Sequence, residues 1–138
     1  GASINYTLDS AILNLSGTTV ASGISSIDMK NGSVVQLHSA NDILGGESSR
    51  TAINMSGNSA LSLKNGQGRG LVWADINVDG SGRILGSVNG DYAVVKGSIK
   101  GNGSLLLGRS DDTWSNAWKI ESLISDNESG KLSVTFDS

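Results

Sequence analysis

At 138 residues, with 19 Gly, no Pro, no Cys and only 4% aromatic residues, the chain has the length of one structural unit, with a core of Ile, Leu and Val rather than rings. The lack of Cys excludes disulfides and thiolate metal sites, and no apolar run approaches the roughly 18 residues of a membrane-spanning helix. Ten scattered Lys and Arg against 13 Asp and Glu, a net charge of −3, argue against a nucleic-acid surface, which needs clustered cations to meet phosphate.

In chain order, Gly1-Ala2-Ser3 has the form of a tag scar. Residues 1–21 read as an opening coil or half-coil, because Leu13 precedes Ile27 by only 14 positions. Nothing there resembles an amphipathic helix to cap a first rung, so the chain is expected to continue upstream. Ile27-Asp-Met29, Ile53-Asn-Met55, Ile76-Asn-Val78 and Ile99-Lys-Gly101 each open a segment that runs apolar, polar, apolar or Gly, and continues through a Gly-containing turn to alternating apolar residues. These starts are 26, 23 and 23 residues apart, and the next copy is assigned to Leu123, 24 further on. Further short strands fall between the copies, at Leu71-Val-Trp73, Tyr92-Ala-Val-Val95 and Asp42-Ile-Leu44. Leu44–Arg50 and Gln67–Gly70 read as loops. The period of two within each segment points one row of side chains inward. The recurring turns suit Gly, with Asn, Asp and Ser satisfying turn amides through their side chains.

A second-order period of about 20–25 residues, with two or three strands per period, is the signature of a solenoid. The expected fold is therefore all-β: a right-handed parallel β-helix of about five coils over residues 1–108, its handedness taken from the commonest case. Residues 109–138 are expected to form a capping coil with a hairpin-like ending, carrying Trp114 and Trp118 and a turn at Asp126–Gly130. The competing fold is a β-sandwich, whose strands also recur with turn signals but without the longer period.

Chemistry is sparse. Asp75-Ile-Asn-Val-Asp-Gly80 imitates the opening of a calcium loop, but its twelfth position is Gly86 rather than an acidic ligand, so it reads as strand and turn. His38 alone, without Cys, cannot make a typical zinc site, and no Gly-x-Ser-x-Gly elbow accompanies it. Glu47, Asp75, Asp91, Asp111 and Asp112 are candidate glycosidic carboxylates. One coil beyond Asp75 stands Ser98, however, and alternation turns the adjacent Asp111 and Asp112 apart. Trp73 and Tyr92 could line a sugar-stacking strip, although 19 residues fall short of a coil. Asn-x-Ser/Thr triplets at Asn5, Asn14, Asn31, Asn54, Asn102 and Asn127 are expected by chance in so Asn- and Ser-rich a chain. No cofactor, metal site or catalytic group is assigned.

The run Val88-Asn-Gly-Asp-Tyr92, Lys100-Gly-Asn-Gly-Ser-Leu-Leu-Leu107, Asp111-Asp112, Glu121-Ser-Leu-Ile124 and Gly130-Lys-Leu-Ser-Val-Thr135 resembles the end of a type V autotransporter passenger. It is similar there to the autochaperone segment, over roughly residues 76–136, and departs from the pattern between Ala93 and Ser98 and at the two Trp. The resemblance implies a non-catalytic stalk at the Gram-negative cell surface. Its C-terminal coils would fold first and template the rest of the passenger, next to an outer-membrane β-barrel encoded in the same chain. The residues expected to carry that role are the inward Ile76, Val78, Ile84, Leu105 and Leu107, with the capping aromatics Trp114, Trp118 and Phe136. The alternative expectation is an adhesin or phage tail-fibre segment that meets host glycan or protein through loops 44–50 and 109–118.

Overall fold

In the computed structural model the chain is all β-strand. The structure describes residues 3–17, 21, 23–39, 42–65, 70–88, 93–109 and 118–136. The strands are β1 (Ile4–Asp9), β2 (Ile12–Asn14), β3 (Ile24–Lys30), β4 (Val34–Leu37), β5 (Ile43–Leu44) and β6 (Thr51–Ser56). They continue as β7 (Ser59–Asn65), β8 (Leu71–Val88), β9 (Ala93–Arg109), β10 (Trp118–Asp126) and β11 (Leu132–Phe136).

Every strand pair is parallel. Parallel neighbours separated by one period mean that the chain returns to the same side and rests on its previous pass, which is a β-solenoid and not two facing antiparallel sheets. On the first side β1, β3, β6, β8, β9 and β10 stack in that order. On the second side β2, β4, β7, the latter halves of β8 and β9, and β11 do the same. A shorter third side carries Ala21, β5, the openings of β8 and β9, and the start of β10.

The register places like on like. Tyr6, Ile27, Ile53, Ile76, Ile99 and Ile124 form one inner column. Leu13, Val35, Leu61, Ile84, Leu107 and Phe136 form the second. Ala21, Leu44, Val72, Val95 and Ile120 form the third. The middle members of all three columns are buried and belong to the core, together with further inner residues such as Met29, Met55, Val78, Leu37, Leu63 and Leu105. The expected stacking of Ile27, Ile53, Ile76 and Ile99 is thus the first column.

Two expectations are corrected by the register. Leu13 opens the second column rather than the first, so residues 4–14 already form a coil whose first-side residue is Tyr6. Ile124, not Leu123, lies over Ile99; Leu123 lies over Ser98 on the outer surface and is 76% exposed. The ending also differs from a hairpin. β10 and β11 both run parallel to β9, on its first and second halves, and only an Asn127–Gly130 bridge closes the turn between them. Leu44–Arg50, expected as a protruding loop, is β5 followed by a tight turn closed by a Gly46–Ser49 bridge.

In the middle coils the corners between the first and second sides are made in two ways. At Lys30–Ser33 and Ser56–Ser59, two successive residues are left-handed: Asn31 and Gly32 in one, Gly57 and Asn58 in the other. Each such corner ends in a fully buried Ser. Ser33 Oγ donates to Lys30 O (2.7 Å) and accepts from the Ala11 amide (3.1 Å). Ser59 Oγ donates to Ser56 O (2.8 Å) and accepts from the Ser33 amide (3.1 Å). The hydroxyls therefore carry the ladder round a bend where carbonyls cannot. In β8 and β9 the corner needs one left-handed residue each, Gly80 and Gly103. A Cβ on Gly103 would collide with the Gly80 carbonyl oxygen, so only Gly allows this approach.

Ile76→Ala is expected to lower unfolding free energy by about 2–5 kcal/mol, because it empties a fully enclosed column. Leu123→Ala should change it by less than about 0.5 kcal/mol, because that side chain is in solvent. Urea denaturation of the two variants checks the register, and equal losses would refute it. Ser59→Ala strands a buried amide and a carbonyl and is expected to cost about 1–3 kcal/mol in the same assay.

Candidate functional site

The residues expected to carry function separate into three groups. Ile76, Val78, Ile84, Leu105 and Leu107 are all buried, on inner positions of β8 and β9. Phe136 occupies an inner position over the fully buried Leu107 and is itself 67% exposed. A solenoid residue is buried by the coils on both sides of it, and among the described strands β11 pairs only with β9. Trp118 begins β10 opposite Ala93, and Trp114 lies outside the described residues.

The chemistry-bearing side chains are dispersed. His38 Nε2 lies 2.8 Å from Ser62 Oγ, a distance that suits a base and a nucleophile. Ser62 is buried at 5% exposure, which leaves no room for a substrate carbonyl at its oxygen. The buried Asp42 is spent on backbone: Oδ1 accepts from Gly17 N–H (3.2 Å) and Oδ2 from Ser39 N–H (2.9 Å). These bonds fix a corner, and we assign them to structure.

Asp75 belongs to strand β8, where it accepts from Arg50 (3.2 Å) and Ser98 (2.8 Å). The opening of the apparent calcium loop is therefore outer strand surface, with Asp75 across from Ser98 as the repeat predicts. Glu47 lies exposed in the tight turn after β5, whereas Asp91, Asp111 and Asp112 lie outside the described residues. Tyr92 is also outside them; the neighbour of Trp73 on the next coil is Lys96, whose ammonium sits 5.0 Å from the ring centroid. Glu121 on β10 continues this outer row, 3.5 Å from Lys96 and 3.0 Å from Lys119. The short hydrogen bond from Lys119 holds the Glu121 carboxyl below the ordinary glutamate range, and the charge of Lys96 adds to it.

The ends of the solenoid concentrate what the sides lack. Among the described residues the exposed large apolar side chains are Ile4 and Ile12 on the first coil and Leu123, Ile124 and Phe136 on the last. Ile124 is 40% exposed, whereas Ile27, Ile53, Ile76 and Ile99 beneath it in the same column are buried. Among the described residues β10 and β11 pair on one side only, as β1 and β2 do at the other end. At both ends apolar residues and strand edges thus coincide, and the C-terminal coils are taken as the candidate functional surface. Alternation does predict an inner Phe136, but it cannot show which inner residues lack a covering coil. Compared with known proteins, the chain matches no family model, no curated protein and no solved structure.

Glu121 is expected to titrate below Glu47 in carboxyl-detected NMR, and Lys119→Ala should raise its midpoint. A lowered native pKa stabilises the fold above the ordinary glutamate pKa, and that contribution disappears as pH falls through the lowered value. An unchanged midpoint in Lys119→Ala would remove the assigned cause.

Proposed function

We propose that this chain is a non-catalytic stretch of a secreted autotransporter passenger, serving as β-helical stalk and as the autochaperone from which the rest of the passenger folds. In this reading the chain works at the Gram-negative cell surface, and its partners are the remaining passenger coils and an outer-membrane β-barrel of the same polypeptide. The observation that carries the reading is the C-terminal stack of β8, β9 and β10, whose inner positions of Ile, Val and Leu would offer an upstream segment a strand edge and hydrophobic columns together. An incoming segment that adds a strand there gains main-chain hydrogen bonds and a hydrophobic column in one step. Solenoid stability is largely a sum of repeat and nearest-neighbour terms, so a preformed coil removes the cost of starting a new one.

Support for a C-terminal nucleus comes from the ladder between β8 and β9, which runs from Leu71–Val94 to Gly86–Arg109 without a register shift. The first-side pairing of β1 with β3 contains such a shift, between Ile4 and Asn5. In this reading Leu105 and Leu107 on β9 are the residues on which the final coil is laid, through Val134 and Phe136.

Pulsed hydrogen exchange during refolding of the whole chain tests the order. Amides of β8 and β9 should gain protection before those of β1–β4, and protection of β1–β4 first would refute the autochaperone role. Leu105→Asp buries an uncompensated carboxylate and should unfold the C-terminal coils. In a passenger carrying this segment, the variant should abolish surface display, and normal display would overturn the proposal.

A further inference from the structure

We propose that the outer surface of the first side is a binding groove for a neutral, hydroxyl-rich oligosaccharide, with Asn54, Asn77 and Lys100 as its floor. The proposal goes beyond the stalk reading and does not rest on it. The register stacks these three residues on consecutive coils, on the outer face of β6, β8 and β9. Adjacent strands lie about 4.8 Å apart, so the floor offers one polar head group per rung. Two cavities, of about 440 and 630 Å³, open on this face and share Asn54 and Asn77. Both volumes fall in the range of ordinary ligand sites.

One end of the groove is a wall that the fold does not otherwise require. The inner columns of the first and second sides are eight residues apart in successive coils: Ile53 and Leu61, Ile76 and Ile84, Ile99 and Leu107. In the last coil Ile124 and Phe136 are twelve apart. The four additional residues form the turn Asn127–Gly130, and this turn is braced against the groove floor. Asn127 Nδ2 donates to Asn77 Oδ1 two coils away (3.2 Å), while Asn127 Oδ1 accepts from Asn102 Nδ2 (3.3 Å) and from the Ser129 amide (2.9 Å).

The bracing also decides what the groove presents. Asn54 donates to Asp28 Oδ1 (2.7 Å) through its NH₂, which leaves its carbonyl oxygen as an acceptor. Asn77 uses its oxygen for Asn127 and keeps its NH₂ as a donor. The Lys100 ammonium has no ion-pair partner among the described residues and is exposed. At the wall, Asp126 accepts from the Leu132 amide (2.9 Å), and both Asp126 and Glu128 line the cavity. Fixed donors and acceptors therefore line one row, beside Leu8, Met29 and Met55 in the cavity away from the wall. Asp28, Asp79, Asp126 and Glu128 against Lys30 and Lys100 disfavour a polyanion, and the polar row disfavours a wholly apolar peptide. A sugar hydroxyl both donates and accepts, so a chain of them satisfies such a row, and orienting the side chains in advance reduces the ordering cost of binding.

The test uses the whole chain, isotope-labelled, titrated with cello-, malto- and chitohexaose, with a heparin hexasaccharide and octalysine alongside. At least one neutral hexasaccharide should move the amide signals of Asn54, Asn77 and Lys100, with a dissociation constant in the millimolar range or tighter. Asn77→Ala and Lys100→Ala should each weaken that binding by about tenfold. Lys100→Ala removes no side-chain hydrogen bond or ion pair among the described residues, so it decides the matter even if Asn77→Ala loosens the turn. Shifts with none of the neutral sugars up to about 10 mM, or shifts confined to other surfaces, would overturn the proposal. Binding of octalysine alone would overturn it in favour of a basic peptide, and binding of heparin alone in favour of an anionic glycan. None of these outcomes bears on the order of folding, so failure here and failure of the stalk reading are distinguishable.

Discussion

A constant offset of 23 residues between β8 and β9 is the constraint on which the rest of the molecule depends. From Leu71 over Val94 to Gly86 over Arg109 no residue is gained or lost, so every inner position of one coil meets an inner position of the next. A shift of one position would turn the whole set of apolar residues into solvent. Constancy also brings glycines to places where no other residue fits. Gly97 has φ +112° and passes so close to Ala74 that a Cβ would collide with its carbonyl oxygen, and Gly103 has the same relation to Gly80. With one Phe, three Trp and two Tyr in the whole chain, stability has to come from columns of Ile, Leu and Val and from the ladder itself.

The corners show how one geometry can be reached from different residues. Inner residues on either side of the corner stay eight apart whether the turn is Asn31-Gly32, Gly57-Asn58, or built on Gly80 or Gly103. Where two left-handed residues are used, a buried Ser follows and its hydroxyl substitutes for a ladder carbonyl. Where Gly alone bends the strand, β8 and β9 continue through the corner and no buried Ser is needed. Outer rows obey the same stacking. Asp28 and Asn54, Asp75 and Ser98, and Asp79 and Asn102 are hydrogen-bonded neighbours on adjacent coils.

How much of this could be read from the sequence follows from the same stacking. Ile27, Ile53, Ile76 and Ile99 are separated by polar and Gly residues that leave no ambiguity of parity, so period and inner face were both legible. Leu123-Ile124 is an apolar pair, and alternation alone cannot decide which member points inward; adding 25 to Ile99 rather than 24 turns on what the intervening segment does. The four-residue insertion at 127–130 hid the last coil behind the appearance of a hairpin, because a Gly-containing turn between two strands has the same composition in either fold. The contact of Lys96 with Trp73 was available from the offset of 23, whereas Tyr92 attracted attention only for its ring. The pairing of His38 with Ser62 was not legible, since Ser is abundant and nothing marks this one.

Asp126 complicates the picture of an open template and sharpens it. Its register places it over Gly101, in the inner row that holds Leu8, Met29, Met55 and Val78 on earlier coils. Gly101 leaves room there, and the carboxylate is exposed, with one oxygen held by the Leu132 amide. An inward-pointing charge on an edge strand is a device against indiscriminate pairing, because an apolar strand laid over it must desolvate the carboxylate. The uncovered Ile124 and the half-buried Ile120 and Val134 offer attraction, and Asp126 sets a condition on it. A strand that joins in register must bring a hydrogen-bond donor or a cation to that one position and apolar residues to the others.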